Sequence, residues 1–117
     1  MNVYENGKFV KKNSELENSE NLYCFPGFVD VHVHLREPGF EYKETIKTGT
    51  LASAHGGYTA ICSMPNLKPA PDSVENIKIQ LDKIKTDAVV DVYPYACITK
   101  GQRGEELSDM QELEDLA

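Results

Sequence analysis

The chain has 117 residues, 40% hydrophobic and 26% charged, with a formal net charge of −7. That composition excludes a disordered or fibrous chain and bounds it to one domain or part of one. The acidic balance, without any cluster of Lys and Arg, repels phosphate backbones and argues against nucleic acid as a partner.

No apolar run approaches the roughly 18–20 residues of a membrane helix. Met1 to Val10 lacks the apolar segment of a secretory signal, so the expected address is the cytoplasm. Cys24, Cys62 and Cys97 are odd in number and far apart, with no C-x-x-C. They read as reduced thiols that pack as small apolar residues.

In chain order, Asn6-Gly7 between Val3-Tyr4 and Phe9-Val10 predicts a type I′ hairpin, followed by a solvated loop over residues 11–21. Phe25 to Leu35 is an apolar run rich in β-branched residues, a buried strand. Tyr42 to His55 reads as a helix ended by Gly56-Gly57, where glycine supplies the left-handed cap. Tyr58 to Met64 is the next strand, stopped by Pro65, with Pro69-Ala70-Pro71 as a rigid loop after it. Asp72 and Glu75 form a capping-box pattern, opening a helix whose Val74, Ile77, Leu81 and Ile84 make one apolar stripe. Ala88 to Thr99 is a third strand and Gly101 to Gly104 a turn. Ser108 and Gln111 suggest a second capping box before a helix with Met110, Leu113 and Leu116 on one face. That helix runs to Ala117 with no C-cap glycine.

Strand, helix, strand, helix, strand, helix implies a parallel sheet with right-handed crossovers. Phe28, Tyr58 and Ala88 are near-equivalent points about 30 residues apart, although the units do not repeat in sequence. Three such units cannot close a (β/α)₈ barrel, which takes about 250 residues. The pattern alone leaves two architectures open, a small open α/β domain or part of a barrel.

The chemistry concentrates at Asp30-Val31-His32-Val33-His34-Leu35-Arg36-Glu37-Pro38-Gly39. Histidines at i and i+2 of a strand share a face, so His32 and His34 can meet one metal ion. The strand stops at Pro38-Gly39, which puts the pair at the carboxyl end of a parallel strand, where α/β folds place their active sites. The third histidine, His55, lies at a helix C-terminus, where the dipole favours it. Arg36 follows two residues on from His34. A guanidinium beside a metal needs an anion between them, which suggests a substrate carboxylate held bidentately; a salt bridge to Glu37, Glu41 or Glu44 is the alternative. Asn66, in Met64-Pro65-Asn66, closes the neighbouring strand at the same rim. It offers an amide donor and acceptor there, or simply forms the turn before the proline-rich loop.

These residues resemble the class I dihydroorotases of the amidohydrolase superfamily. The likeness runs from the Asp30–Gly39 segment through Thr48-Gly49-Thr50, Ala54-His55-Gly56-Gly57-Tyr58-Thr59 and Met64-Pro65-Asn66 to Pro71-Asp72-Ser73. The resemblance implies a (β/α)₈ TIM-type barrel with a small β-sandwich built from both chain ends. Residues 1–24 would then be a short β segment of the sandwich, and 25–117 the first three βα units of the barrel. It implies reversible cyclisation of N-carbamoyl-L-aspartate to dihydroorotate in pyrimidine biosynthesis, with one or two Zn²⁺ ions. It implies zinc ligation by His32 and His34, and substrate binding by His34, Arg36 and Asn66. Hydantoinases and dihydropyrimidinases share the histidine pair but typically lack Leu-Arg-Glu-Pro-Gly. Allantoinases often have that continuation but usually carry an extra residue where this chain reads Met64-Pro65-Asn66.

The chain departs from the family at both ends. About 25 residues precede Pro26, fewer than in many relatives. The family's two further histidines, bridging aspartate and catalytic aspartate have no match. No catalytic acid or base is therefore expected within these 117 residues; the general acid/base is expected beyond Ala117. The expectation is a fragment of a dihydroorotase, inactive, weak in zinc binding and poorly stable by itself. The full-length protein would act on a small molecule, as a homodimer or with a carbamoyltransferase partner. An allantoinase-like hydrolase and a non-catalytic dihydroorotase-like subunit are the rival readings.

Overall fold

The computed structural model describes residues 2–5, 8–11, 25–114 and 116. Near the N-terminus β1 (Asn2–Glu5) pairs antiparallel with β2 (Lys8–Lys11), Val3 opposite Val10 and Glu5 opposite Lys8. That is the expected hairpin; its Asn6-Gly7 turn, the loop over 12–21 and Cys24 lie outside the described residues.

The rest is a small α/β unit. Strands β3 (Phe28–Val33), β4 (Tyr58–Ser63) and β5 (Asp91–Pro94) form a parallel sheet in that order. Helices α1 (Ile46–His55) and α2 (Val74–Asp87) connect them, and α3 (Met110–Glu114) packs on α2. The core is Leu35, Ile46 and Ile61, each at most 1% exposed, backed by Val33, Tyr58, Ile84, Ala88, Val90 and Val92. Gly49 lets α1 approach the strand end closely: a Cβ there would stand 2.6 Å from Leu35 Cδ2. Thr50, also buried, donates to Ile46 O and accepts from Val89 N–H, tying α1 to the segment before β5. The α2 stripe packs as expected around buried Ile77, joined by Gln80, which donates to Ser63 Oγ at 3.0 Å.

Element boundaries differ from the sequence reading for local reasons. Helix α1 starts at Ile46 and not at Tyr42, because Thr45 and Thr48 cap each other reciprocally while Glu37 Oε2 accepts the Ile46 N–H at 2.8 Å. With the first-turn donors satisfied, Phe40 and Lys43 close separate turns on Arg36 O and Phe40 O. Gly57, with φ +84, takes the left-handed position after α1, and Gly56 stays right-handed. The cap of α2 is Ser73 rather than Asp72, which accepts instead from Asn76 Nδ2 and Gly101 N–H. Asp109, not Ser108, accepts the Glu112 N–H near the start of α3; Ser108 is buried and Met110 exposed. At its other end α3 is described as far as Glu114, and Leu116 N–H donates to Leu113 O. Asp115 and Ala117, and with them the expected run of the helix to Ala117, lie outside the described residues. The strands are shorter than the apolar runs. β3 covers six residues of Phe25–Leu35, and β5 only four of Ala88–Thr99.

Candidate active site

Hydrogen bonds from Met64 N to Val33 O and from Tyr95 N to Ser63 O align the carboxyl ends of β3, β4 and β5 along one rim. At that rim β3 is irregular. Asp30 pairs with Ile61 and Val33 with Ser63, so β3 spends three steps where β4 spends two. The extra residue is a bulge at Val31–His32, and Asp30 Oδ1 accepts the His32 N–H at 3.0 Å. A bulge bends a strand and re-aims its side chains. Here the His32 and His34 rings stand edge to face with centroids 5.2 Å apart, both residues exposed.

His34 and Asn66 meet across the rim, Nδ1 to Oδ1 at 2.9 Å. A carboxamide oxygen only accepts, so this contact puts a proton on Nδ1, and in the neutral ring Nε2 is then the nitrogen with the lone pair. Asn66 thus fixes the tautomer and the ring of His34. Among the described residues no third His, Cys, Asp or Glu joins the pair in a metal-sized cluster.

Arg36 lies just past β3 with φ +64, a conformation that disfavours any residue with a Cβ. None of the three expected carboxylates pairs with it. Glu37 accepts from Ile46 N–H and Lys83 Nζ, Glu41 from Gly39 N–H, and Glu44 from Thr45 N–H and the Thr48 hydroxyl. Among the described residues Arg36 makes no ion pair. The Gly39 N–H, assisted by Lys83, holds the Glu41 carboxyl below its ordinary pKa.

Arg36 instead lines an open cleft of about 230 Å³ with Phe40, Lys43, Asn66, Leu67 and Gln102. The lining carries two cations and no acid. Lys43 sits 5.5 Å from the Phe40 and Tyr42 ring centres. Sequence reading passed over Lys43, whose neighbours look like one face of a helix, and Gln102, which follows a glycine in an apparent turn. A larger cavity of about 550 Å³ adjoins, lined mainly by apolar residues from Met64-Pro65 and Tyr95 to Thr99, and it shares Gln102.

Residues 22–117 match the sequence model of the dihydro-orotase-like family. The chain belongs to that family. The dihydroorotase of Bacillus cytotoxicus is 50% identical over 121 aligned positions, covering 97% of this chain and 28% of the relative. That of Macrococcus caseolyticus is 49% identical over 118 positions, covering 95% and 28%. That of Staphylococcus epidermidis is 52% identical over 101, covering 86% and 24%. The chain therefore spans about a quarter of the length of these curated relatives. His32, His34, Arg36 and Asn66 all fall within the matched residues, and the structure gathers them at one rim. His55 stands apart, exposed in the last turn of α1. Cys62 and Cys97 carry no disulfide, Cys97 being buried. No helix among the described residues is long and apolar enough to cross a membrane.

Proposed function

We propose that this segment supplies two zinc ligands and the substrate-anion site of a dihydroorotase. In this reading the three-stranded sheet is the first part of a (β/α)₈ barrel, residues 25–117, with the β1–β2 hairpin in a sandwich segment, residues 1–24. The observation that carries it is the set of four residues at one rim: two adjoining imidazoles, one oriented by Asn66, beside an arginine with no carboxylate partner among the described residues.

The donor set fits zinc. His34 is held with Nε2 available, the usual arrangement for a ligating histidine whose second nitrogen is hydrogen-bonded. Catalytic zinc takes at least three protein ligands in most sites, so the remaining donors come from the rest of the protein. His32 and His34 would hold a zinc ion whose chemistry there would be to lower the pKa of water and polarise a carbonyl. The chain's own residues orient the substrate. Arg36 receives the carboxylate as a planar fork, with the Asn66 amide beside it. Holding that end fixes the ring so that its amide carbon faces the histidine pair, converting binding into orientation. The proton for the leaving nitrogen comes from a carboxylate beyond Ala117.

Dihydroorotate carries a carboxylate and dihydrouracil does not, which is why an arginine has a use in the former case. In the whole protein that carries this segment, Arg36→Met should raise KM for dihydroorotate. A hydrogen bond to a charged group contributes about 1.5–3 kcal/mol, so the rise should be roughly 10- to 150-fold. An unchanged KM would remove Arg36 from the substrate site.

A further inference from the structure

The residue after Arg36 is a buried acid, and the structure shows what holds it. Glu37 is 7% exposed. Its Oε2 accepts the Ile46 N–H, the first residue of α1, at 2.8 Å, and its Oε1 meets Lys83 Nζ of α2 at 2.7 Å. A buried carboxylate with one partner removed is strongly destabilised, so the two contacts act together. The segment is fastened twice more. Arg36 O accepts from Phe40 N–H at 2.9 Å, and Pro38 O accepts from Lys68 N–H at 3.1 Å, two residues beyond Asn66.

These contacts bear on Arg36 because of its backbone. An arginine at φ +64 sits in a sparsely populated, strained region of backbone conformation. Such a conformation persists only where the surroundings over-determine it. With Glu37 clamped from two helices and Pro38 tied to the Asn66 loop, residue 36 has no freedom to relax. The hydrogen bond to Glu37 also holds the Lys83 ammonium above its ordinary pKa, burial opposing it.

We infer that the Glu37–Lys83 pair is a positioning clip that sets Arg36 beside Asn66 and thereby governs affinity for the anionic end of the substrate. The inference rests on the reading of Arg36 given above. Neither residue touches the cleft; both act through the backbone of the arginine. The clip also couples α2, an outer helix, to the substrate site.

A double-mutant cycle tests this in the whole protein that carries the segment. Lys83→Met is the leading variant, because the Lys83 side chain is 38% exposed, and a thermal melt run beside the kinetics separates loss of fold from loss of affinity. It should raise KM for dihydroorotate about tenfold, because a displaced Arg36 loses its hold on the carboxylate, and any fall in kcat reports the lost orientation of the ring. Lys83→Arg, which keeps the charge, should restore most of the affinity. In an Arg36→Met background, Lys83→Met should add no further increase, because two groups acting as one unit are non-additive. Glu37→Gln should follow Lys83→Met. An unchanged KM in Lys83→Met, or an equal increase with Arg36 already removed, overturns the clip. An Arg36→Met protein with normal KM overturns the anion-site reading instead, and the clip with it.

Discussion

His34 and Arg36 face the rim and its cleft, whereas their neighbours Leu35 and Glu37 turn inward and are buried, at 1% and 7% exposure. The two sides of one short segment differ in what holds them. Leu35 is held by apolar packing against Ile46 and Ile61, and Glu37 by two charge-assisted hydrogen bonds. The rim side has few restraints of its own beyond the Asn66 contact on His34. The chemistry-bearing residues are therefore placed by the burial of the residues between them, and the two sides should fail separately when altered.

Leu35→Ala should give the largest effect. It removes a fully buried side chain from the core and should lower stability by about 2–5 kcal/mol, read by chemical denaturation of the whole protein. Gly49→Ala attacks the same packing from α1, placing a methyl 2.6 Å from Leu35 Cδ2. Overpacking of this kind should lower stability by about 1–3 kcal/mol; an equally stable variant would mean that the Leu35 side chain or α1 gives way. Asn66→Ala works on the rim side. It frees the His34 ring and should weaken zinc affinity or activity by about 10- to 100-fold, as loss of an outer-shell partner does. Stability should hardly change, and a large drop in melting temperature without a change in zinc affinity would merge the two sides.

The smallest effect concerns a loop anchor away from both. Burial pushes the Asp72 carboxyl up, but hydrogen bonds from Gly101 N–H and Asn76 outweigh it, and its pKa is lowered overall. A lowered folded pKa contributes stability above the unfolded value, about 3.9, and that stability is lost as pH falls through the folded value. Amide exchange at Gly101, corrected for its intrinsic pH dependence, should lose protection as pH drops below about 4. In Asp72→Asn that acid-dependent step should vanish.

The order of strands and helices was legible because apolar runs and glycines mark them directly. Ile77 and Ile84 announced the buried face of α2, and Gly56-Gly57 the end of α1. The histidine pair was legible from its i, i+2 spacing, and Asn66 from its place at the next strand's end. Three things were hidden. The bulge at Val31–His32 depends on pairing register between β3 and β4, which no single strand encodes. The left-handed backbone of Arg36 is set by what clamps Glu37, a partner 46 positions away in sequence. The start of α1 moved because Thr45, Thr48 and Glu37 outcompete the helical pattern of residues 42–44.

Zinc content and dihydroorotate hydrolysis, measured together on the whole protein and on its His32→Ala, His34→Ala double variant, test the central claim most directly. The account predicts that the variant remains folded, loses zinc from this site and falls to background hydrolysis. A variant that keeps both its zinc and its turnover would contradict it.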